Sequence, residues 1–227
     1  MFRITRLNHI GQIEWGDGMN NRWNRTIYKF AAPIYDKLFN SGQFLRARKE
    51  IFQDTKFTKN QNILFVGVGT GADLELVNHN ELHITAIDYS DDMLNKARNK
   101  FKGSSIQFAK MDAQHMSFSD NHFDLIVGSL ILSVVPDPHK CLKEMLRVLK
   151  PAGEIIVFDK FTPKDKELSP MKKAIRPVIK LLGTDIGVNF EKLCENYKDQ
   201  LFVTEDAPVM FNGMYRKIIV KKIEASF

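Results

Sequence analysis

The sequence predicts an α/β chain with a doubly wound, mostly parallel sheet, and three observations carry that expectation. From residue 62 onward, short apolar runs alternate with helix-length amphipathic segments, the order that parallel strands need because each return to the same edge requires a crossover. The run Ile63 to Val66 is apolar without alternation, as in a strand buried on both faces, and Gly67, Gly69 and Gly71 follow it at once. The next predicted strand ends in Asp88, about 20 residues beyond the first glycine, where a carboxylate in this architecture accepts hydrogen bonds from ribose hydroxyls.

Residues 1 to 19 hold Gly11, Gly16 and Gly18 without a clear period and read as an irregular lead-in. From Asn20, Trp23, Ile27, Phe30, Ile34 and Leu38 recur at helical spacing, and Pro33 should kink or split that helix near Ala32. Ser41-Gly42 punctuates, and Phe44 to Phe52 reads as a second short helix. The wound core is then expected as strand 62–67, helix 72–79, strand 83–88, helix 91–101, strand 105–109, strand 122–128, helix 138–149 and strand 153–159. Ser90 can cap a helix that opens on Asp91 and Asp92 and closes on Arg98, Lys100 and Lys102 before Gly103. Lys150-Pro151-Ala152-Gly153 ends the next helix and turns into a strand. Residues 163–190 read as a helical insertion, Glu191 to Tyr197 as a further helix, and 201–206 and 215–223 as closing strands.

With 227 residues, 44% of them hydrophobic, the chain can bury one good core. The expected organisation is a lead-in with cap helices over 1–54 and a nucleotide-binding domain over 55–227, with 163–190 as a lid insertion. Cys141 and Cys194 are too few for a disulfide framework, which predicts a reducing, cytoplasmic setting. Neither cysteine has a metal-like spacing, and no metal is expected. No apolar run reaches the length of a membrane span and the N-terminus lacks a signal-peptide core, so the expectation is a protein without a transmembrane segment. The net charge of +6 is spread among acids, without a basic stretch interleaved with base-stacking aromatics, and this argues against nucleic acid as partner.

The glycine spacing G-x-G-x-G differs from the dinucleotide pattern by one residue, and no Gly-Lys-Ser/Thr follows as in a P-loop. Asp73 and Glu75 sit in the first turn of the predicted helix; they would repel a pyrophosphate there and would tolerate a cationic ligand. VGVGTGADLELV, then AIDYS, then MDAQHMSFSDNHFDLIVGSLILSVVPDPHKCLKEMLRVLKPAGEIIVFD resembles the class I S-adenosylmethionine-dependent methyltransferases. The resemblance implies a Rossmann-like sheet of seven strands with one reversed, and S-adenosylmethionine as cofactor. It implies that Val66, Gly67, Gly69, Thr70 and Gly71 wrap the methionine half, that Asp88 and Tyr89 hold the ribose side, and that Met93 packs on the adenine. Asp112 and Ala113 would read the adenine edge, and Gly128, Ser129 and Leu130 would line the cavity. Read from the residues alone, Met93 also suits a core position, Asp112 a turn and Ser129 a strand end.

A general base is needed for a phenol or carbon acid, less so for an amine that loses its proton before attack. His115, His122 and His139 read as surface residues, and His9 lies in the lead-in. Tyr28 and Tyr35, on the helix that folds over the cofactor in related enzymes, are the candidate catalytic residues. Met171, Ala174, Ile175, Val178, Ile179 and Leu182 form an apolar stripe opposite Lys172, Lys173, Arg176 and Lys180, either a lid packed on its own domain or one resting on an anionic membrane. YKFAAPIYDKLF, GVGTG and LSVVPDP are similar to bacterial soluble phosphatidylethanolamine N-methyltransferases, and the ubiquinone and menaquinone methyltransferases share most of the core. The chain departs from the phospholipid enzymes in having Asp159-Lys160-Phe161 after the fifth strand, where Asn-His is expected. The reading is methyl transfer to a small-molecule or lipid-linked acceptor, first a phospholipid amine head group. The alternatives are a quinone or other small metabolite, or a non-catalytic S-adenosylmethionine-binding protein.

Overall fold

The computed structural model describes residues 41–162 and 184–224. Helix α1 (Gly42–Gln53) precedes strand β1 (Asn62–Val66), a short 3₁₀ turn (Leu74–Leu76) and strand β2 (His83–Asp88). Helix α2 (Asp91–Lys100), strands β3 (Gln107–Lys110) and β4 (Phe123–Ser129), helix α3 (Pro138–Val148) and strand β5 (Leu149–Lys160) follow. Helix α4 (Phe190–Cys194), a second 3₁₀ turn (Glu195–Tyr197) and the strands β6 (Leu201–Met210) and β7 (Tyr215–Lys222) close the described chain.

The seven strands form one sheet in the order β3-β2-β1-β4-β5-β7-β6. β3, β2, β1, β4 and β5 run parallel, so their carboxyl ends share one edge. β7 is antiparallel to both β5 and β6, the reversed strand that the family resemblance implies. The order reverses between β1 and β4, which are direct neighbours, and a switch point of this kind opens a crevice beyond the carboxyl ends.

Strand alternation divides the core between the two faces. Leu64, Val66, Ile126, Ile155 and Val157 join one apolar cluster under α3 and α4, whereas Ile63, Phe65, Leu125, Val127, Ile156 and Phe158 join another under α1. Phe44, Ala47, Ile51 and Phe52 of α1 belong to that second cluster, so this part of the expected cap packs directly on the sheet.

The expected cap forms at Ser90, and the structure adds a second at Asp137. Ser90 Oγ accepts from the Met93 N–H at 3.4 Å, and Asp137 Oδ1 accepts from the Lys140 N–H at 3.1 Å ahead of Pro138. β5 begins at Leu149, so the expected turn Lys150-Pro151-Ala152-Gly153 lies within it, and the helix expected over 72–79 is only the 3₁₀ turn Leu74–Leu76. His79 Nε2 lies 2.6 Å from the Leu74 carbonyl oxygen, which also receives the Val77 N–H at 3.3 Å. Val77 is extended (φ −111°, ψ 134°), and Asn78 Oδ1 accepts from the Asn80 N–H at 3.2 Å. Side chains of His and Asn thus take over the backbone groups that a continuing α-helix would use. The described part of the insertion over 163–190 is its end, 184–190; the lid stripe, the lead-in and the kinked N-terminal helix lie outside the described residues.

Candidate functional site

The predicted cofactor residues gather at the carboxyl edge of four adjacent strands. Val66 ends β1, Asp88 ends β2, Asp112 and Ala113 follow β3 within three residues, and Gly128 and Ser129 end β4. The loop Gly67–Gly71 rises between β1 and β2: the N–H groups of Gly67 and Val68 both donate to the Ile87 carbonyl, at 2.9 and 3.0 Å. Tyr89 follows Asp88, and Met93 lies buried in the first turn of α2. Tyr28 and Tyr35, the candidate catalytic residues, lie outside the described residues.

The three loop glycines do different work, although each has positive φ (70°, 56° and 85°). A Cβ on Gly67 would stand 2.6 Å from Ile131 Cδ1, and one on Gly71 2.6 Å from the Phe101 ring; these two glycines admit neighbouring parts of the chain. A Cβ on Gly69 would meet nothing within 4 Å. Gly69 is therefore where the loop backbone lies open to a ligand. Gly128 is a packing glycine, its missing side chain replaced by Met145 Cε at 2.9 Å.

Asp88 locks this geometry. Its Oδ2 accepts from the Gly69 N–H at 2.8 Å and its Oδ1 from the Ser90 N–H at 2.8 Å. Burial pushes the carboxyl up from its ordinary range, opposed by the N–H groups of Ser90, Gly69 and Tyr89. Each carboxylate oxygen has a second lone pair, so the group can hold the loop and still accept from a ribose hydroxyl. Asp112 Oδ1 accepts from the Gln114 N–H at 2.9 Å and from Gln114 Nε2 at 3.0 Å, which makes it a turn residue as well as a candidate adenine contact. Leu130, just after β4, holds φ +56° with its N–H on the Phe158 carbonyl at 2.7 Å, a conformation uncommon for a branched side chain and frequent at functional edges.

Beyond β4 the LSVVPDP loop meets the Asp159-Lys160-Phe161 end of β5. Asp159 is fully buried; its Oδ2 accepts from the Ser133 N–H at 3.0 Å and its Oδ1 from the Lys160 N–H at 2.8 Å. Burial pushes the Asp159 carboxyl up and the Lys160 ammonium down. Lys160 Nζ donates to Thr184 Oγ1, and the Asp185 N–H donates to the Ser133 carbonyl at 2.6 Å. The end of β5, the loop after β4 and the chain at 184–185 are thereby joined.

Asp73 and Glu75 differ from their sequence reading. Asp73 pairs with Arg48, and Glu75 with Lys100 at 3.1 Å, so neither carboxylate is reserved for a cationic ligand. The 3₁₀ turn that carries Glu75 also offers no helix N-terminus. His115, His122 and His139 are exposed.

S-adenosylmethionine, when bound, brings a methyl group already activated by a sulfonium, which leaves the chain to bind, orient and exclude water. The open cradle at Gly69 and the spare lone pairs of Asp88 fit its adenosine and amino-acid parts. Among the described residues no His, Cys, Asp and Glu cluster could hold a metal ion, and no helix is long and apolar enough to cross a membrane.

Residues 64–157 match the methyltransferase domain family. The chain is 32% identical over 157 residues to phosphatidylethanolamine N-methyltransferase of Cereibacter sphaeroides, covering 67% of this chain and 76% of that one. It is 31% identical over 200 residues to demethylmenaquinone methyltransferase of Listeria monocytogenes, covering 84% of this chain and 81% of that one. The solved structure of Haemonchus contortus phosphoethanolamine N-methyltransferase 2, in complex with phosphomonomethylethanolamine and S-adenosylhomocysteine, superposes with a TM-score of 0.68 at 16% identity over 89% of this chain and 61% of that one. Likeness of this extent, on a crevice with these glycines and this carboxylate, shows that the chain belongs to the class I S-adenosylmethionine-dependent methyltransferases and is an enzyme with S-adenosylmethionine as its cofactor.

Proposed function

We propose that the enzyme methylates the amine head group of a phospholipid. The observation that carries this reading is the set of carboxylates held by backbone N–H groups at the carboxyl edge of the sheet, Asp88, Asp112 and Asp159. Asp112 follows β3 at this edge, and Asp185 joins Asp159 of β5 through Ser133. Carboxylates at this edge favour a positively charged or amine acceptor over an anionic one. The carboxylates are also tied to backbone N–H groups rather than aimed as bases. An amine that has lost its proton attacks without help, whereas a quinol requires deprotonation. The likeness to a phosphatidylethanolamine N-methyltransferase supports the same reading.

In this scheme Val66, Gly67, Gly69, Thr70, Gly71, Asp88, Tyr89, Met93, Asp112, Ala113, Gly128 and Ser129 hold the cofactor, and Tyr28 and Tyr35 of the segment 1–54 are the catalytic residues. The domain proper spans 55–227, and the insertion over 163–190 meets the anionic lipid surface with its lysines. The likeness to a demethylmenaquinone methyltransferase supports a quinone acceptor as the second reading.

A labelled-methyl assay with three acceptors tests the choice: phosphatidylethanolamine vesicles, a demethylated quinol, and small soluble amines. Label in the phospholipid head group is the expected result. Label confined to the quinol would replace the first reading by the second, and no transfer to any acceptor would leave a cofactor-binding role alone.

A further inference from the structure

A buried ion pair outside the sequence-read site acts on the loop that forms it. In doubly wound folds the glycine loop is normally held at its far end by the helix that it enters. Here that helix is only the turn Leu74–Leu76, so the loop must be fixed from elsewhere. Arg48, on α1, pairs through Nη1 with Oδ1 of Asp73, two residues beyond Gly71. Arg48 is 5% exposed and Asp73 8%, so solvent screens the pair little. The guanidinium also lies over the Phe158 ring, 5.9 Å from its centroid. Phe158 of β5 is in register with Ser129 of β4. Arg48 therefore reaches from the loop after β1 to β5, across the switch point where β1 meets β4. Among the described residues its Nε is buried without an acceptor, and Asp73 and Phe158 orient the group. On the opposite side the loop has the Lys100–Glu75 pair, whose side chains are 33% and 48% exposed and which contributes little.

We propose that Arg48 is a positioning residue for the cofactor: by holding Asp73 it makes helix α1 the anchor of the Gly67–Gly71 loop in its ligand-binding shape. The inference concerns the cofactor and does not depend on which acceptor is methylated.

Three variants of the full chain separate positioning from mere structural support. Arg48→Met keeps the apolar contact with Phe158 and leaves Asp73 unpaired; Arg48→Lys keeps the charge without the planar fork; Arg48→Met/Asp73→Leu replaces the pair by apolar groups. Each is measured for S-adenosylhomocysteine affinity by calorimetry and for ligand-free thermal unfolding. Arg48→Met is expected to weaken the affinity by about tenfold or more, the scale of a small misplacement in a binding loop. The double variant is expected to regain thermal stability, as apolar replacements of buried pairs often do, yet to keep the weakened affinity, and Arg48→Lys is expected to recover part of it. With an active preparation, the KM for S-adenosylmethionine should rise more than kcat falls. Parental affinity in the double variant, or in Arg48→Met whatever its melting temperature, would overturn the proposal; should Arg48→Met fail to fold, the other two variants decide.

Discussion

The carboxyl edge of the parallel strands and the β6–β7 hairpin use the same acidic residues in opposite ways. At the edge, Asp88 is met by backbone N–H groups of Gly69 and Ser90, both at 2.8 Å, and among the described residues no cation pairs with it. In the hairpin region, Arg216 Nη2 lies 2.5 Å from Asp206 and 2.6 Å from Glu191, and Lys217 Nζ lies 3.0 Å from Glu205. Backbone donors satisfy a carboxylate's hydrogen-bonding capacity without cancelling its charge, whereas guanidinium and ammonium groups do both. Asp88 thus keeps its carboxylate clear of any cation among the described residues, whereas the hairpin carboxylates are neutralised by Arg216 and Lys217.

The sharpest way to break this contrast is to remove the cation from the hairpin. Arg216→Met should lower stability by about 3 kcal/mol, as expected when a buried pair loses one partner, while S-adenosylhomocysteine affinity in the folded fraction stays at the parental value; calorimetry beside thermal unfolding reads both. Asp88→Ala should do the reverse. Affinity should drop by about 2 kcal/mol, the scale of hydrogen bonds to a charged group, which is roughly thirtyfold, with a smaller loss of melting temperature.

A pair of glycines sharpens the comparison further. Gly69 in the cofactor loop and Gly213 in the hairpin turn both hold positive φ, 56° and 81°. A Cβ on Gly213 would meet Pro208 Cβ at an ordinary 3.6 Å, and one on Gly69 would meet nothing. Gly69→Ala and Gly213→Ala should each cost about 1 kcal/mol of stability through backbone strain, yet only Gly69→Ala should weaken cofactor binding, as titration of both variants will read.

The smallest expected effect concerns pH and lies at the opposite edge. Asp124 accepts from Lys150 Nζ at 2.7 Å and from the Asn62 N–H at 2.8 Å, and these partners outweigh burial to hold its carboxyl below the ordinary value. A carboxyl lowered in the folded state contributes stability above its unfolded value and loses it as pH falls through the folded one. Asp124→Asn should therefore flatten the acid limb of the stability curve by a few tenths of a kcal/mol, with cofactor affinity unchanged.

Much of this architecture is legible in the sequence because it depends on local pattern. Unbroken apolar runs mark β1, β4 and β5, and β2 spans the residues expected of it, His83–Asp88. Ser90 caps the helix that it precedes, as expected. The helix expected after the glycine loop failed because His79 and Asn78 capture backbone groups through side chains, an outcome that apolar spacing does not register. Asp73 and Glu75 look available in the sequence, since Arg48 and Lys100 lie 25 residues away on either side. Gly69 could not be told from Gly67 and Gly71 without Ile131 and Phe101 in place. The Asp159–Ser133–Asp185 connection joins three segments that carry no shared motif.

Calorimetric titration of the full chain with S-adenosylhomocysteine, repeated on Asp88→Ala and run beside NAD, tests most directly whether the crevice between β1 and β4 is the cofactor site. Saturable binding of S-adenosylhomocysteine by the parent, at least tenfold weaker binding by the variant and no heat with NAD are the predicted results. Parental affinity in Asp88→Ala, or binding of NAD in preference to S-adenosylhomocysteine, would contradict the account.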